Sequence, residues 1–211
     1  MKIAVVGVND YTAGLVRELV ERGHQVAVFD DTKEGVEKLE AELDITGAVV
    51  DLLNFDGLEE FGFSKADVLV LAHREDTVNI VLSMYAKMVN IPKTFVVSKS
   101  KRIAEVLSRL GLASGVVTIS DVVKRKLTSA LSGVEPIELP GDYVVASIDT
   151  KVMVHLVGMS IADFRDRWNL SVLKIVDRNG SLKEPVDDYV IKEGDVLVVF
   201  GERFRVEELM P

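Results

Sequence analysis

From residue 1 to about residue 131, short valine-rich apolar runs alternate with stretches whose apolar residues recur every three or four positions. The runs 2–6, 25–30, 48–51, 67–72, 93–98 and 115–118 are nearly continuous in apolar character, as parallel strands buried on both faces require. Between them, Leu15, Val16, Leu19 and Val20 form one helical stripe, which Gly23 ends. Val36, Leu39 and Leu43 form a second, with Asp31 and Glu34 as a capping-box-like start. Ile80, Met84, Ala86 and Met88 mark a third helix and Val106 and Leu110 a fourth, while 121–131 forms the last. The residues Val81, Met84 and Met88 read as core or as a contact between subunits. Strict β–α alternation predicts an α/β, Rossmann-like, doubly wound parallel sheet with helices on both faces.

The rhythm breaks between Ser132 and Gly141, where two prolines and two glycines fall within ten residues. This predicts a first domain over 1–133, a linker over 134–141 and a second, smaller α+β domain over 142–211. In the latter, 143–157 is β-rich, 161–168 reads as a short helix and 172–176 as a strand. Arg178-Asn179-Gly180 signals a tight hairpin, and Glu193-Gly194-Asp195 turns into the apolar strand 196–200 before a short closing helix. A domain this small gains stability by pairing with a copy of itself.

Composition narrows the function. Hydrophobic residues make up 48% of the 211 but aromatics only 6%, so the core is aliphatic. A net charge of −9 argues against a nucleic-acid surface and against docking on anionic lipid. With no cysteine there is no disulfide, thiolate nucleophile or cysteine-based metal site. The chain enters a strand at once, leaving no room for a signal peptide. No apolar run approaches the ~20 residues that span a bilayer, so a cytoplasmic protein is expected, reaching the membrane only through a partner.

The first turn, Gly7-Val8-Asn9-Asp10-Tyr11-Thr12, lies between the first strand and first helix, where N-terminal amides attract anions. A dinucleotide fingerprint has glycine at the first, third and sixth places; only Gly7 is kept here. Asn9 tolerates a left-handed backbone, but its side chain crowds the phosphate path. The Thr12 hydroxyl can reach a phosphate or cap a helix. An ordinary ligand-free βα turn is the competing reading. Asp30 closes the second strand 23 residues after Gly7, placed to accept both ribose hydroxyls and to repel a 2′-phosphate. A helix cap would explain it too, and Asp31 and Thr32 beside it suit that purpose. Asp51, beside Leu52, ends the third strand at the same edge, as ligand or as cap. After Ala72, His73 and Arg74 are placed to meet a phosphate or carboxylate, with Asp76 capping the next helix. The three histidines, His24, His73 and His155, fall in separate elements without metal-ligand spacing. Glu184, Asp187 and Asp188 lack an EF-hand pattern and read as a solvated loop.

These motifs resemble those of the RCK, or TrkA-type, family of regulators of potassium conductance and uptake. The strand–Gly7–helix start, Asp30, Asp51 and Asp76-Thr77-Val78-Asn79 carry the likeness in the first domain, with Arg109-Leu110-Gly111-Leu112-Ala113 before the sixth strand. In the second, Leu156–Phe164 is similar to the helix entry of the TrkA-C domain, and Lys192–Gly201 to its closing strand. Members that bind NAD or ATP keep three glycines in the first turn. The form found here is similar to the divergent turn of some channel-gating members, and Val50 stands where the family has glycine.

The resemblance implies a non-enzymatic regulatory subunit that binds an adenine nucleotide, NAD(H) or AMP, ADP or ATP. It also implies a homodimer, often assembled into a ring, acting on a membrane potassium transporter or channel subunit. The nucleotide-contacting residues it implies are Gly7 to Thr12, Asp30, Asp31, Asp51, Leu52, Ala72, His73 and Arg74. A sensor acting on another ion carrier and an NAD-dependent oxidoreductase are the alternatives. The second needs a proton donor that the small domain does not offer.

Overall fold

The computed structural model describes residues 1–209, which divide into two compact units, the first Met1–Val122 and the second from Val123 onward. In the first, β1 (Lys2–Val6), β2 (Gln25–Asp30), β3 (Thr46–Val49), β4 (Val68–Leu71), β5 (Lys93–Ser98) and β6 (Gly115–Thr118) form one sheet. Its order is β3-β2-β1-β4-β5-β6, and every pairing is parallel. The chain therefore reverses direction across the sheet between β1 and β4. In open α/β sheets, ligands bind at such a switch point, beyond the carboxyl ends of the strands.

Alternate residues of each strand feed two cores. Ile3, Val5, Val26 and Val28 pack with Val16 of α1 (Asp10–Glu21) and with Val36 and Leu39 of α2 (Lys33–Glu42). Ala4, Val6, Leu69, Leu71 and Val96 pack on the other face. There they meet Leu58 of α3 (Phe55–Glu60), Leu82 and Ala86 of α4 (Asp76–Met88) and Leu107 of α5 (Lys101–Arg109). The doubly wound sheet expected from the alternation is the one observed. Strand β3 starts and ends two residues earlier than its hydrophobicity suggests, and Asp51 lies beyond it.

Helix α6 (Ile119–Ser132) runs through the division between the units. In the second unit β7 (Val134–Glu138), β8 (Tyr143–Asp149), β9 (Ser171–Val176), β10 (Leu182–Lys183) and β11 (Val196–Glu202) form an antiparallel sheet of order β10-β9-β11-β8-β7. Helix α7 (Ile161–Trp168) packs Phe164 and Trp168 into its core, and α8 (Arg203–Glu207) adds Val206. Ser160 caps α7, accepting the Asp163 N–H at 3.1 Å, and Asn169 ends it in the left-handed region at φ 51°. The hairpin signal at 178–180 joins β9 to β10.

The stretch 134–141, expected as a linker, holds β7. Its Val134 pairs with Ile148 and its Pro136 with Ala146 of β8. Strand β7 lies at the edge of the sheet, where proline is tolerated because one side has no ladder to feed. The acidic trio of the second unit is partly paired, Asp187 with Arg165 and Glu184 with Lys174.

Candidate functional site

Gly7 ends β1 at φ 91°, and a Cβ there would lie 2.6 Å from the backbone N and Cα of His73. Only glycine fits, because the left-handed backbone and the close approach both exclude a side chain. The loop after β4 is thereby drawn over the end of β1. This is the switch point itself.

The rest of the first turn is satisfied internally. Asn9 has an extended backbone, φ −155°, and caps α1: its side chain accepts the Thr12 N–H at 3.1 Å while the Thr12 hydroxyl accepts the Asn9 N–H at 2.8 Å. That reciprocal pair is a capping box. The Thr12 hydroxyl, 2% exposed, also donates to the Gly7 carbonyl at 2.8 Å, so it is committed to the turn. The Asn9 amide nitrogen donates to the Ala72 carbonyl at 3.1 Å, tying β1 to β4 across the switch point. Asn9 is therefore not left-handed, and its side chain fills the crevice by bonding across it. Val8 packs its side chain against the α2 helix, where a Cβ on Gly35 would meet it at 2.6 Å. Asp10 and Tyr11 begin α1, both exposed.

Asp30 points into this turn. Only 2% exposed, it accepts the Val8 N–H at 2.6 Å with one oxygen and, with the other, the Thr32 N–H at 2.7 Å and the Thr32 hydroxyl. Thr32 is the N-cap residue of α2, without a side-chain cap bond, so the expected capping role of Asp31 is not observed. Asp31 instead meets Arg74 in a two-pronged pair, with N–O distances of 3.1 and 2.8 Å. Since β2 and β4 flank β1 in the sheet, this pair spans the Gly7 turn. Partial burial pulls the Asp31 carboxyl upward, but the Arg74 hydrogen bonds, together with the neighbouring Asp30 and the charges around it, outweigh it and hold the carboxyl below its ordinary value.

His73 lies beneath that pair, its side chain 2% exposed. Its Nδ1 accepts the Glu75 N–H at 3.3 Å, so in the neutral ring the proton is on Nε2. Nε2 is buried without a hydrogen-bond partner, and the nearest carboxylate oxygen is Asp31 Oδ1 at 3.5 Å.

Asn79, whose role the sequence did not reveal, organises the loop. It accepts the His73 N–H at 3.0 Å and donates to the carbonyls of His73 at 3.0 Å and Val97 at 3.3 Å. Asp76 does not cap α4; it accepts from the Ser98 hydroxyl and the Lys99 N–H of the next loop. Lys99, also missed, donates to the Arg74 carbonyl at 2.9 Å. Asn79 stood out only as part of the Asp76–Asn79 motif, without its bonds, and no short motif links Lys99 to Arg74, 25 residues away.

The third strand contributes less. Asp51 is exposed and accepts the Leu53 N–H at 2.9 Å, and Asn54 caps the α3 helix in its stead. Leu52, 3% exposed, belongs to the core. A separate recess of about 410 Å³ opens near the amino ends of β1–β3, beside Lys2, Gln25, Thr46 and Phe61. It lies at the opposite end of the strands from the turn, and Glu60 and Lys65 also line it.

A family model for the TrkA-N domain matches residues 3–119, and one for the TrkA-C domain matches residues 141–211. The chain belongs to the TrkA-N/TrkA-C family. Among its relatives, this TrkA-type chain is 23% identical over 194 residues to potassium channel protein 1 of Methanocaldococcus jannaschii, covering 87% of this chain and 58% of that protein. It is 36% identical over 87 residues to the Trk system potassium uptake protein TrkA of Mycobacterium tuberculosis, covering 41% of this chain and 39% of that protein. It thus spans little more than half of the first and less than half of the second.

The GsuK channel bound to NAD superposes with a TM-score of 0.71 at 22% identity, over 99% of this chain and 38% of that one. The AMP-bound C-terminal domain of Shewanella denitrificans Kef gives 0.53 at 18%, over 62% and 80%. At these identities the TrkA-type chain shares their fold.

Proposed function

We propose that this TrkA-type chain senses an adenine nucleotide at the carboxyl edge of its parallel sheet and controls a membrane potassium transporter or channel subunit. The observation that carries this reading is the arrangement at the switch point. Gly7, the amino end of α1, a buried carboxylate (Asp30) and the cation Arg74 meet where β1 and β4 diverge. A helix start and a guanidinium suit phosphate, and a carboxylate at this edge suits ribose hydroxyls while repelling a 2′-phosphate. NAD(H), AMP, ADP and ATP share those groups. The NAD-bound and AMP-bound structures of the same fold support the choice.

Regulation rather than catalysis is supported by the relatives, a potassium channel protein and a potassium uptake protein. Among the described residues no helix is long and apolar enough to cross a membrane. On this reading the chain acts on its transporter as a cytoplasmic subunit. Assembly as a homodimer or ring fits two exposed apolar sets: Met84 with Met88 on α4, and Val123, Leu127 and Leu131 at four-residue spacing along α6. A ligand that binds one state of such an assembly more tightly shifts it towards that state, and by no more than the difference in affinity.

Thermal-shift measurements with NAD, NADH, ATP, ADP and AMP test the ligand. One of them at a hundred times its Kd stabilises the fold by ~2.7 kcal/mol, whereas no shift from any refutes nucleotide sensing. Co-purification with a potassium transporter subunit tests the partner; recovery with a different ion carrier overturns it.

A further inference from the structure

The Asp31–Arg74 pair has a feature that an ordinary surface ion pair lacks: a spare donor waiting beside it. Arg74 engages both Asp31 oxygens, and the buried, unpartnered His73 Nε2 stands 3.5 Å from one of them. A buried donor without a partner carries a standing penalty. If Arg74 turned away, Asp31 Oδ1 would have to move by only a few tenths of an ångström to bond Nε2. Asp31 would exchange a guanidinium for an imidazole N–H, and the guanidinium would be freed at the end of β1, beside the amino end of α1. What best replaces a carboxylate on a guanidinium fork is another planar or tetrahedral oxyanion, above all a phosphate.

We infer that Asp31 is a built-in competitor for the phosphate of the ligand: a mononucleotide phosphate displaces the Asp31 carboxylate from Arg74, and Asp31 is then held by His73 Nε2. This rests on the adenine-nucleotide reading above and adds to it which residue receives the phosphate and which one sets the threshold for binding. Two further observations favour the exchange. The Thr12 hydroxyl is consumed inside the turn, leaving Arg74, 54% exposed in its side chain, as a group at this edge that can meet a phosphate without breaking the fold. The backbone of Arg74 is anchored by Lys99 through its carbonyl, so its side chain can swing while the loop stays in place.

Calorimetric titration of the full chain with AMP and with adenosine, for wild type, Asp31→Asn and Arg74→Gln, tests the exchange. Exposed ion pairs of this kind are weak, so removing the competitor in Asp31→Asn tightens AMP about fivefold and leaves adenosine unchanged. Arg74→Gln abolishes the preference of the wild type for AMP over adenosine. AMP binding that is equal or weaker in Asp31→Asn overturns the exchange while leaving nucleotide sensing intact, since Asp31 would then be neutral or a ligand itself. Absence of AMP binding in all three proteins, each shown folded by circular dichroism, overturns the exchange, while nucleotide sensing stands or falls with the five-ligand panel above. Both positions are exposed, so the variants fold as the wild type does.

Discussion

Thr12 donates its hydroxyl hydrogen to the carbonyl of Gly7, 2.8 Å away, so the residue standing where a dinucleotide fingerprint has its last glycine locks the first turn onto its own start. The same hydroxyl accepts the Asn9 N–H at 2.8 Å. Thr12→Val keeps the shape and removes both bonds, leaving a part-buried N–H and a buried carbonyl without their partner. Urea denaturation is expected to show a loss of about 1–3 kcal/mol. An unchanged midpoint would show that the hydroxyl does nothing for the turn.

Asn9 spans the crevice with one side chain, capping α1 and holding the Ala72 carbonyl. Asn9→Gly keeps a tolerated cap residue, costs only a few tenths of a kcal/mol in the helix, and opens the phosphate path. NADH affinity is expected to rise about tenfold, or ~1.4 kcal/mol, and more than that of AMP, by calorimetry. Equal gains for the two ligands would show that Asn9 is no barrier to an extended dinucleotide.

Asp30 faces inward, and its loss is felt first by the fold. Asp30→Ala strips the Val8 and Thr32 N–H groups of a charged acceptor, so stability falls by about 2–4 kcal/mol on denaturant unfolding. In the unmutated protein a carboxylate here disfavours a 2′-phosphate, so NADH binds more tightly than NADPH. Equal affinity for the two, measured side by side, removes Asp30 from the ribose site.

Tyr85 gives the first unit an alkaline limit. Burial, reinforced by Glu59, which accepts its hydroxyl at 2.9 Å, and by the charge of Asp56, pushes its phenol up to about 12 from an ordinary 10.0. A raised acid of this kind stabilises the fold fully below the unfolded value and loses that contribution as pH climbs from 10.0 through about 12. Thermal melts at pH 9 and pH 11 should therefore show a larger drop for wild type than for Tyr85→Phe. Parallel drops in the two would clear Tyr85 of the effect.

Leu127 and Leu131 are 59% and 79% exposed on α6, alongside Val123. Light scattering is expected to give at least twice the 23.2 kDa of one chain, and Leu127→Glu with Leu131→Glu to lower it. A wild type that stays monomeric at micromolar concentration defeats the dimer, and a double variant that keeps its mass moves the contact elsewhere.

The parallel sheet was legible because each of its strands is either a valine-rich run or lies next to one, and because Gly7 and Gly23 punctuate the helices between. Strand β3 was misplaced by two residues because Thr46 and Gly47 pair with β2 without being apolar. Segment 134–141 misled for a related reason: proline signals an interruption, yet an edge strand accommodates Pro136, while Gly133 and Gly141 fall outside the strand. At the candidate site, position along the chain correctly placed Gly7, Asp30, His73 and Arg74 at one sheet edge. What each side chain does there depends on partners the sequence does not reveal. Asp31 meets a residue 43 positions away, and Asp30 turns inward because two N–H groups of neighbouring turns converge on it.

The three bonds of Asn79 give the loop after β4 a mechanical character. Fastened at both faces of His73 and to Val97 of the neighbouring strand, and held a second time by Asp76 through Ser98 and Lys99, the loop has no slack of its own. A displacement of the loop backbone, as distinct from a swing of the Arg74 side chain, would be carried, as through a stiff lever, to the end of β5 and the start of α5. Loss of Asn79 would slacken that lever at its root, since the bonds that tie the loop to β5 are the ones that hold His73 in place.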